Sequence, residues 1–300
     1  MHAAVPTPFG SMLTAMVTPF TPDGQLDLEG AAHLAEYLVR GGNDGLIVCG
    51  TAGEASTLRD QEKDDLIRIV KDAVGERALV IAGTGTNDTS HSIDLAKRAA
   101  KAGADGQLVV TPYYNKPTQS GVFDHFTSVA GATDLPVMLY DIPGRAGIEI
   151  AGDTFKRLAE NPRIVAVKDA KADFGSMVEI LRKTRLAVYA GDDALAFPWL
   201  SAGAAGLVSV SANVAPKHFR HMVDAIRTGA WLHARKLNFE LTPLIRAVMD
   251  HVPAAVSAKW LLNMQGRLPC DFVRPPLSQP LPTEISGVTA ELFDTQWALA

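Results

Sequence analysis

Eight times along this chain a short apolar run gives way to a longer amphipathic stretch, and that repeat leaves few folds open. The runs are Leu13–Val17, Leu46–Cys49, Leu79–Ala82, Gln107–Val110, Val137–Tyr140, Ile164–Lys168, Ala187–Ala190 and Leu207–Val210, each followed by polar punctuation. Such runs read as buried parallel strands, and the stretches between them as surface helices. Several helix starts carry N-cap chemistry: Asp27, Asp88 or Thr89, Thr118 and Asp173. Gly41-Gly42, Gly75, Gly103 and Gly203 stand where C-terminal caps are wanted. Eight such units predict an α/β fold, a closed (β/α)8 barrel.

After an eighth helix over Pro216–Arg227, the spacing stays helical without strand runs, over Trp231–Val248 and Ala254–Met264. The segment Cys270–Thr283 carries Pro275-Pro276, Pro280 and Pro282, so it reads as a surface crossing that leads to a last helix, Ala290–Ala298. The expected organisation is a catalytic barrel over residues 11–229 and a C-terminal helical extension over 230–300. A length of 300 residues does not force two cores, because α/β barrels of about 250 residues form single units.

With 47% hydrophobic and 20% charged residues, the composition is that of an ordinary globular protein. A net charge of −5 supplies no basic stripe for a phosphate backbone, so nucleic acid is not an expected partner. Two cysteines cannot build a disulfide framework, and Cys49 follows Leu46-Ile47-Val48, where a buried thiol in a reducing cytoplasm is expected. Met1–Gly10 has no signal-peptide pattern, and no eighteen-residue apolar span occurs, so neither export nor membrane insertion is expected.

The residues that close the runs carry the chemistry, since a barrel's active site lies at the carboxyl ends of its strands. Lys168 closes Ile164-Val165-Ala166-Val167, and Tyr140 closes Pro136-Val137-Met138-Leu139 one strand–helix–strand repeat earlier. Neighbouring parallel strands bring an amine and a phenol to one mouth. A lysine there can act as a free amine that attacks carbonyl carbon. At its unperturbed pKa of about 10.4, the free form at pH 7 costs roughly 4–5 kcal/mol, a penalty that desolvation reduces.

Other strand-end loops add to the pair. Gly50-Thr51-Ala52-Gly53-Glu54 places glycines around a hydroxyl, so that backbone N–H groups can converge on an anion. The fourth loop is Thr111–Pro117 and the fifth is Tyr140–Arg145, and Tyr113, Tyr114 and Tyr140 are three of the chain's five tyrosines. Arg145 offers a planar fork for a substrate carboxylate. Asp192-Asp193 reads as helix capping rather than metal ligation, and His218 and His221 as surface residues without a third ligand. Gly83–Asp88 lacks the glycine pattern of a nucleotide loop and reads as a strand-end turn.

Taken in order, Gly50–Glu54, Thr111–Pro117, Tyr140–Arg145 and Val167-Lys168-Asp169 resemble the dihydrodipicolinate synthase and N-acetylneuraminate lyase family of class I pyruvate aldolases. The resemblance runs from Leu13–Phe20 through Gly206–Asn213. It implies a homotetramer built from dimers, with no cofactor or metal beyond a covalent imine between Lys168 and pyruvate. Tyr140 would shuttle protons, Thr51 would link the relay, and Tyr114 would reach into a neighbouring subunit's site. The pyruvate carboxylate would rest on N–H groups near Thr51 and Ala52, Val208 would close the apolar side, and Gly191 would leave room for the second substrate. An arginine like Arg145 marks the members that bind aspartate semialdehyde, which implies condensation to 4-hydroxy-tetrahydrodipicolinate in the diaminopimelate route to lysine.

Two departures from the family pattern stand out. Ala52 replaces a usual threonine and removes a hydrogen bond that is worth about 1.5–3 kcal/mol when its acceptor is charged. Pyruvate with another aldehyde or a keto-sugar acid is therefore an alternative pairing. A silent keto-acid-binding member is a further alternative, opposed by intact Lys168, Tyr140, Thr51 and Tyr114. Where lysine-inhibited relatives have a glutamate and histidines, the matching positions are His91, Asp60 and Lys63, so weak or absent lysine feedback is expected.

Overall fold

The computed structural model describes residues 6–297. Eight parallel strands close a barrel in sequence order: β1 (Met12–Ala15), β2 (Gly45–Val48), β3 (Leu79–Gly83), β4 (Gly106–Val110), β5 (Val137–Asp141), β6 (Ile164–Asp169), β7 (Ala187–Ala190) and β8 (Gly206–Ser209). The ring shuts where Leu13 pairs with Val208. Each strand lies within two residues of its expected run at either end. The strands are apolar on both faces because each face meets protein. Phe9, Leu13, Ile47, Ile81, Met138 and Tyr189 fill the interior, while the opposite faces pack against the helices.

The helices around the barrel are α1 (Leu28–Arg40), α2 (Asp60–Val74), α3 (Thr89–Ala102), α4 (Gln119–Gly131), the short α5 (Pro143–Ala146), α6 (Gly152–Leu158), α7 (Phe174–Lys183), α8 (Ala196–Ser201) and α9 (Pro216–Arg227). The cap signals act as expected. Asp27 accepts from the Gly30 N–H at 2.8 Å, Asp88 from Ser90 at 2.8 Å, and Asp173 from Ser176 at 3.0 Å. Of the two candidates before α3, Asp88 is the cap. At the far ends, Gly42, Gly103 and Gly203 all take the left-handed conformation that ends a helix at no steric cost.

Beyond α9 come α10 (Trp231–Met249), α11 (Ala254–Met264) and α12 (Pro282–Leu292). Their apolar residues, Leu241, Leu244 and Leu261 among them, join the same core as Leu34 and Leu38 of α1. The last helix departs from expectation, since α12 begins at Pro282 rather than at Ala290. Pro282 occupies the first helical position, where an N–H is not needed, and the Glu284 carboxylate accepts from the Leu281 N–H at 2.6 Å. Proline there starts a helix instead of barring one. Ala298, the expected end, lies outside the described residues.

Asp193 also differs from the expected helix cap. It is buried, accepts from the Ser211 N–H at 2.7 Å and the Val210 N–H at 3.2 Å, and so ties the loop after β7 to the end of β8. Asp192 makes only a local turn with the Ala194 N–H. His218, expected at the surface, is partly covered by the Trp297 ring at 4.6 Å between centroids.

Candidate active site

Tyr140 and Lys168 are direct partners in the β5–β6 ladder. Side chains alternate across a strand, so both follow Met138 and Ala166 into the barrel interior. Lys168 is 4% exposed, and its Nζ lies 4.3 Å from the centroid of the Tyr140 ring. Among the described residues, neither a hydrogen bond nor an ion pair holds that nitrogen. An amine enclosed by apolar walls, with a phenol beside it and no carboxylate on it, is available to a carbonyl carbon.

A cavity of about 1080 Å³ opens at the carboxyl ends of β2 to β5, with Thr51, Tyr113, Tyr114, Tyr140 and Arg145 on its walls. Lys168, Ala52 and Val208 are not among the residues that line it; all three are buried, Ala52 and Val208 with Tyr140 in the interior cluster. The Tyr140 backbone is fixed by Thr111, whose N–H and Oγ1 both donate to its carbonyl at 3.0 Å. Arg145 lies on α5, exposed at the cavity rim. Tyr114 is 88% exposed at the edge of this cavity and holds φ +72°. Within one chain, no hydrogen bond joins the hydroxyls of Thr51, Tyr140 and Tyr114 among the described residues.

Gly191 stands beside the Lys168 stem with no room for a side chain of its own. A Cβ at position 191 would fall 2.9 Å from Cγ of Lys168 and 2.9 Å from the carbonyl oxygen of Asp169, so the vacant space belongs to the Lys168 stem. The Gly50–Glu54 loop, expected to gather backbone N–H groups, forms a turn with several of them unengaged. The N–H groups of Thr51, Ala52 and Gly53 donate to no protein acceptor among the described residues, and the Glu54 N–H closes a turn onto the Thr51 carbonyl at 3.1 Å. Thr18 steadies the loop from β1, donating from Oγ1 to the Gly53 carbonyl at 2.7 Å.

On the outer faces of β5 and β6, Asp141 and Asp169 form the next pair in register, both buried. Burial pushes the Asp141 carboxyl up to about 7, aided by the Asp169 charge and opposed by the Ile150 N–H bond at 3.2 Å. Burial raises Asp169 as well. Cys49 is buried as expected, its thiol pushed up to about 12 by desolvation. Asp60, Lys63 and His91 share the wall of the main cavity, where Asp60 meets His91 Nε2 at 3.0 Å and Lys63 Nζ at 3.5 Å.

Sequence reasoning missed the anchor of Glu54. Its carboxylate pairs with Lys259 of α11, and both side chains are only 1% exposed. A lone charge within Ala254–Met264, a mainly apolar helix, was the available signal. Among the described residues, no group of three or more His, Cys, Asp or Glu side chains could hold a metal ion, and no helix is long and apolar enough to cross a membrane.

The family model described as the dihydrodipicolinate synthetase family matches residues 8–290. A relative from Kineococcus radiotolerans, named 4-hydroxy-tetrahydrodipicolinate synthase, is 51% identical over 285 residues, which cover 95% of this chain and 92% of that one. Dihydrodipicolinate synthase from Bacillus anthracis superposes with a TM-score of 0.92 at 41% identity, over 95% of this chain and 98% of that one. The enzyme from Acinetobacter baumannii, solved in complex with pyruvate, gives 0.91 at 35% identity, over 95% and 98% of the two chains.

Proposed function

The chain belongs to the dihydrodipicolinate synthetase family, and on that footing we propose that it is a lyase joining pyruvate to aspartate semialdehyde, with 4-hydroxy-tetrahydrodipicolinate as product. The observation that carries the reading is the enclosed Lys168 amine, unpaired and 4.3 Å from the Tyr140 ring. The amine adds to the keto carbon of pyruvate, and loss of water leaves an imine. The imine draws electrons from the neighbouring methyl, which gives up a proton and attacks the aldehyde carbon as an enamine. Tyr140 moves the protons at each stage, with Thr51 relaying them. The pyruvate carboxylate takes the free N–H groups of the Thr51–Gly53 turn, and Val208 covers the methyl side. Arg145 at the rim receives the carboxylate of the second substrate.

Tyr114, extended from its own subunit, completes the relay of a neighbour, so the active form is a dimer or a tetramer built from two dimers. The place of work is the cytoplasm, where a biosynthetic aldolase meets its keto acid. Ala52 keeps its backbone N–H for the keto-acid carboxylate but lacks the side-chain donor that a threonine would add.

Borohydride reduction in the presence of pyruvate, followed by peptide mass spectrometry, tests the reading. A reduced adduct on Lys168 is expected, together with turnover of aspartate semialdehyde above that of keto-sugar acids. A protein that takes no adduct at Lys168 is not an imine aldolase. Sedimentation of the same sample reads the assembly, and an active monomer would remove Tyr114 from the relay.

A further inference from the structure

The loop that receives the keto-acid carboxylate is held from behind by the C-terminal helices. Glu54 ends the Gly50–Glu54 turn with φ +55°, a left-handed conformation that a non-glycine residue keeps only under constraint. The constraint is its carboxylate. One oxygen accepts from Lys259 Nζ, and the other accepts from the Arg274 backbone N–H at 2.9 Å. Lys259 also donates to the Phe272 carbonyl at 2.9 Å and stacks its ammonium 4.2 Å from the Phe20 ring centroid. The Arg274 guanidinium lies 4.3 Å from the same ring, donates to the Thr57 carbonyl at 3.0 Å, and pairs with Glu62 at the start of α2.

Every group in this cluster lies outside the reacting centre, yet the chain from Lys259 to the free N–H groups is short. Lys259 fixes the Glu54 carboxylate, the Glu54 N–H fixes the Thr51 carbonyl at 3.1 Å, and the turn between them carries the Ala52 and Gly53 donors. A fully buried ion pair is a poor source of stability, because desolvating both charges offsets their attraction. Its value here is geometric. Resting on the imine reading, we infer that Lys259 and Glu54 are positioning residues through which the C-terminal helices hold the Thr51–Gly53 N–H groups in the geometry that binds the keto-acid carboxylate.

Lys259→Met and the double variant Glu54→Gln/Lys259→Met test this. Borohydride trapping at graded pyruvate gives a half-saturation and a saturated rate for each. Half-saturation should rise about tenfold in both, the scale of one lost charge-assisted hydrogen bond, while the saturated rate stays within about threefold because Lys168 and Tyr140 are untouched. The single variant leaves Glu54 buried without its cation and should melt lower. The double variant removes both charges and should recover the melting temperature without recovering the half-saturation. A double variant with wild-type half-saturation overturns the inference, as does a fall in saturated rate that merely tracks the folded fraction. A wild-type chain that takes no adduct defeats the imine reading alone. Hydrogen exchange then decides the positioning role: faster exchange of the Thr51–Gly53 amides in the Lys259→Met variant sustains it, and unchanged exchange there overturns it.

Discussion

Lys168 reaches the barrel mouth past a position that has no side chain. A methyl group at Gly191 would meet Cγ of Lys168 at 2.9 Å, its Cε at 3.0 Å and the Asp169 carbonyl oxygen at 2.9 Å. The backbone cannot yield easily, because the Gly191 N–H already donates to that carbonyl at 2.7 Å. The lysine stem has to move. A displacement near 1 Å at a reacting atom costs about a hundredfold in rate, so Gly191→Ala should slow imine trapping by roughly 10–100-fold while lowering stability by about 1–3 kcal/mol. Trapping rate and melting temperature, measured on one preparation, check this, and an unchanged trapping rate would show that the stem has room. Lys168 and Tyr140 were legible in the sequence because a polar residue that ends an apolar run is conspicuous. The tenant of the Gly191 gap was not, since it depends on a side chain from the adjacent strand. Lys259 stood out as the lone cation of its helix, but its partner was hidden for a related reason: Glu54 lies 205 residues away in the chain.

At the scale of elements, legibility followed locality. Strands and caps were readable because run length and N-cap chemistry act within a few residues, as Asp27, Asp88, Thr118 and Asp173 show. The start of α12 and the role of Asp193 were not. The first turns on where Pro282 falls relative to a helix start, and the second on a bond to β8 across the barrel rim. The facing turns of α2 and α3 carry a functional consequence. Asp60 is the carboxylate that these turns offer to the shared cavity, and it is already engaged by His91 at 3.0 Å and Lys63 at 3.5 Å. The ammonium of free lysine would have to displace both groups and then sit beside the Lys63 charge. Millimolar lysine should therefore leave turnover of pyruvate and aspartate semialdehyde unchanged. Inhibition at submillimolar lysine in a steady-state assay would mean that another carboxylate receives the ammonium.

Across the whole molecule, two buried groups set opposing dependences of stability on pH. Burial lowers His125 to about 4 from its ordinary 6.5, so the folded chain holds fewer protons than the unfolded chain between those values, and stability rises with pH. Burial raises Asp141 from 3.8 to about 7, so the folded chain holds more protons over that window, and stability falls as pH rises. Each contributes a limiting slope of about 1.4 kcal/mol per pH unit, and between about pH 4 and 6.5 the two slopes cancel. Asp141→Asn removes one of them. Asparagine keeps an oxygen for the Ile150 N–H and has no proton to lose, so the variant should match the wild type near pH 4 apart from a constant offset. Its advantage should then grow up to pH 7 and level off above it. About 2 kcal/mol at pH 8 is the expected scale. Urea midpoints for both proteins at pH 4, 6 and 8 measure it. A gap that stays constant across the series would mean that Asp141 ionises in the fold as it does in the unfolded chain. Asp141 directly follows Tyr140 on β5, and the variant carries no buried charge at that position at pH 8. The same variant should therefore hold its imine-trapping rate to higher temperature at pH 8 than the wild type does.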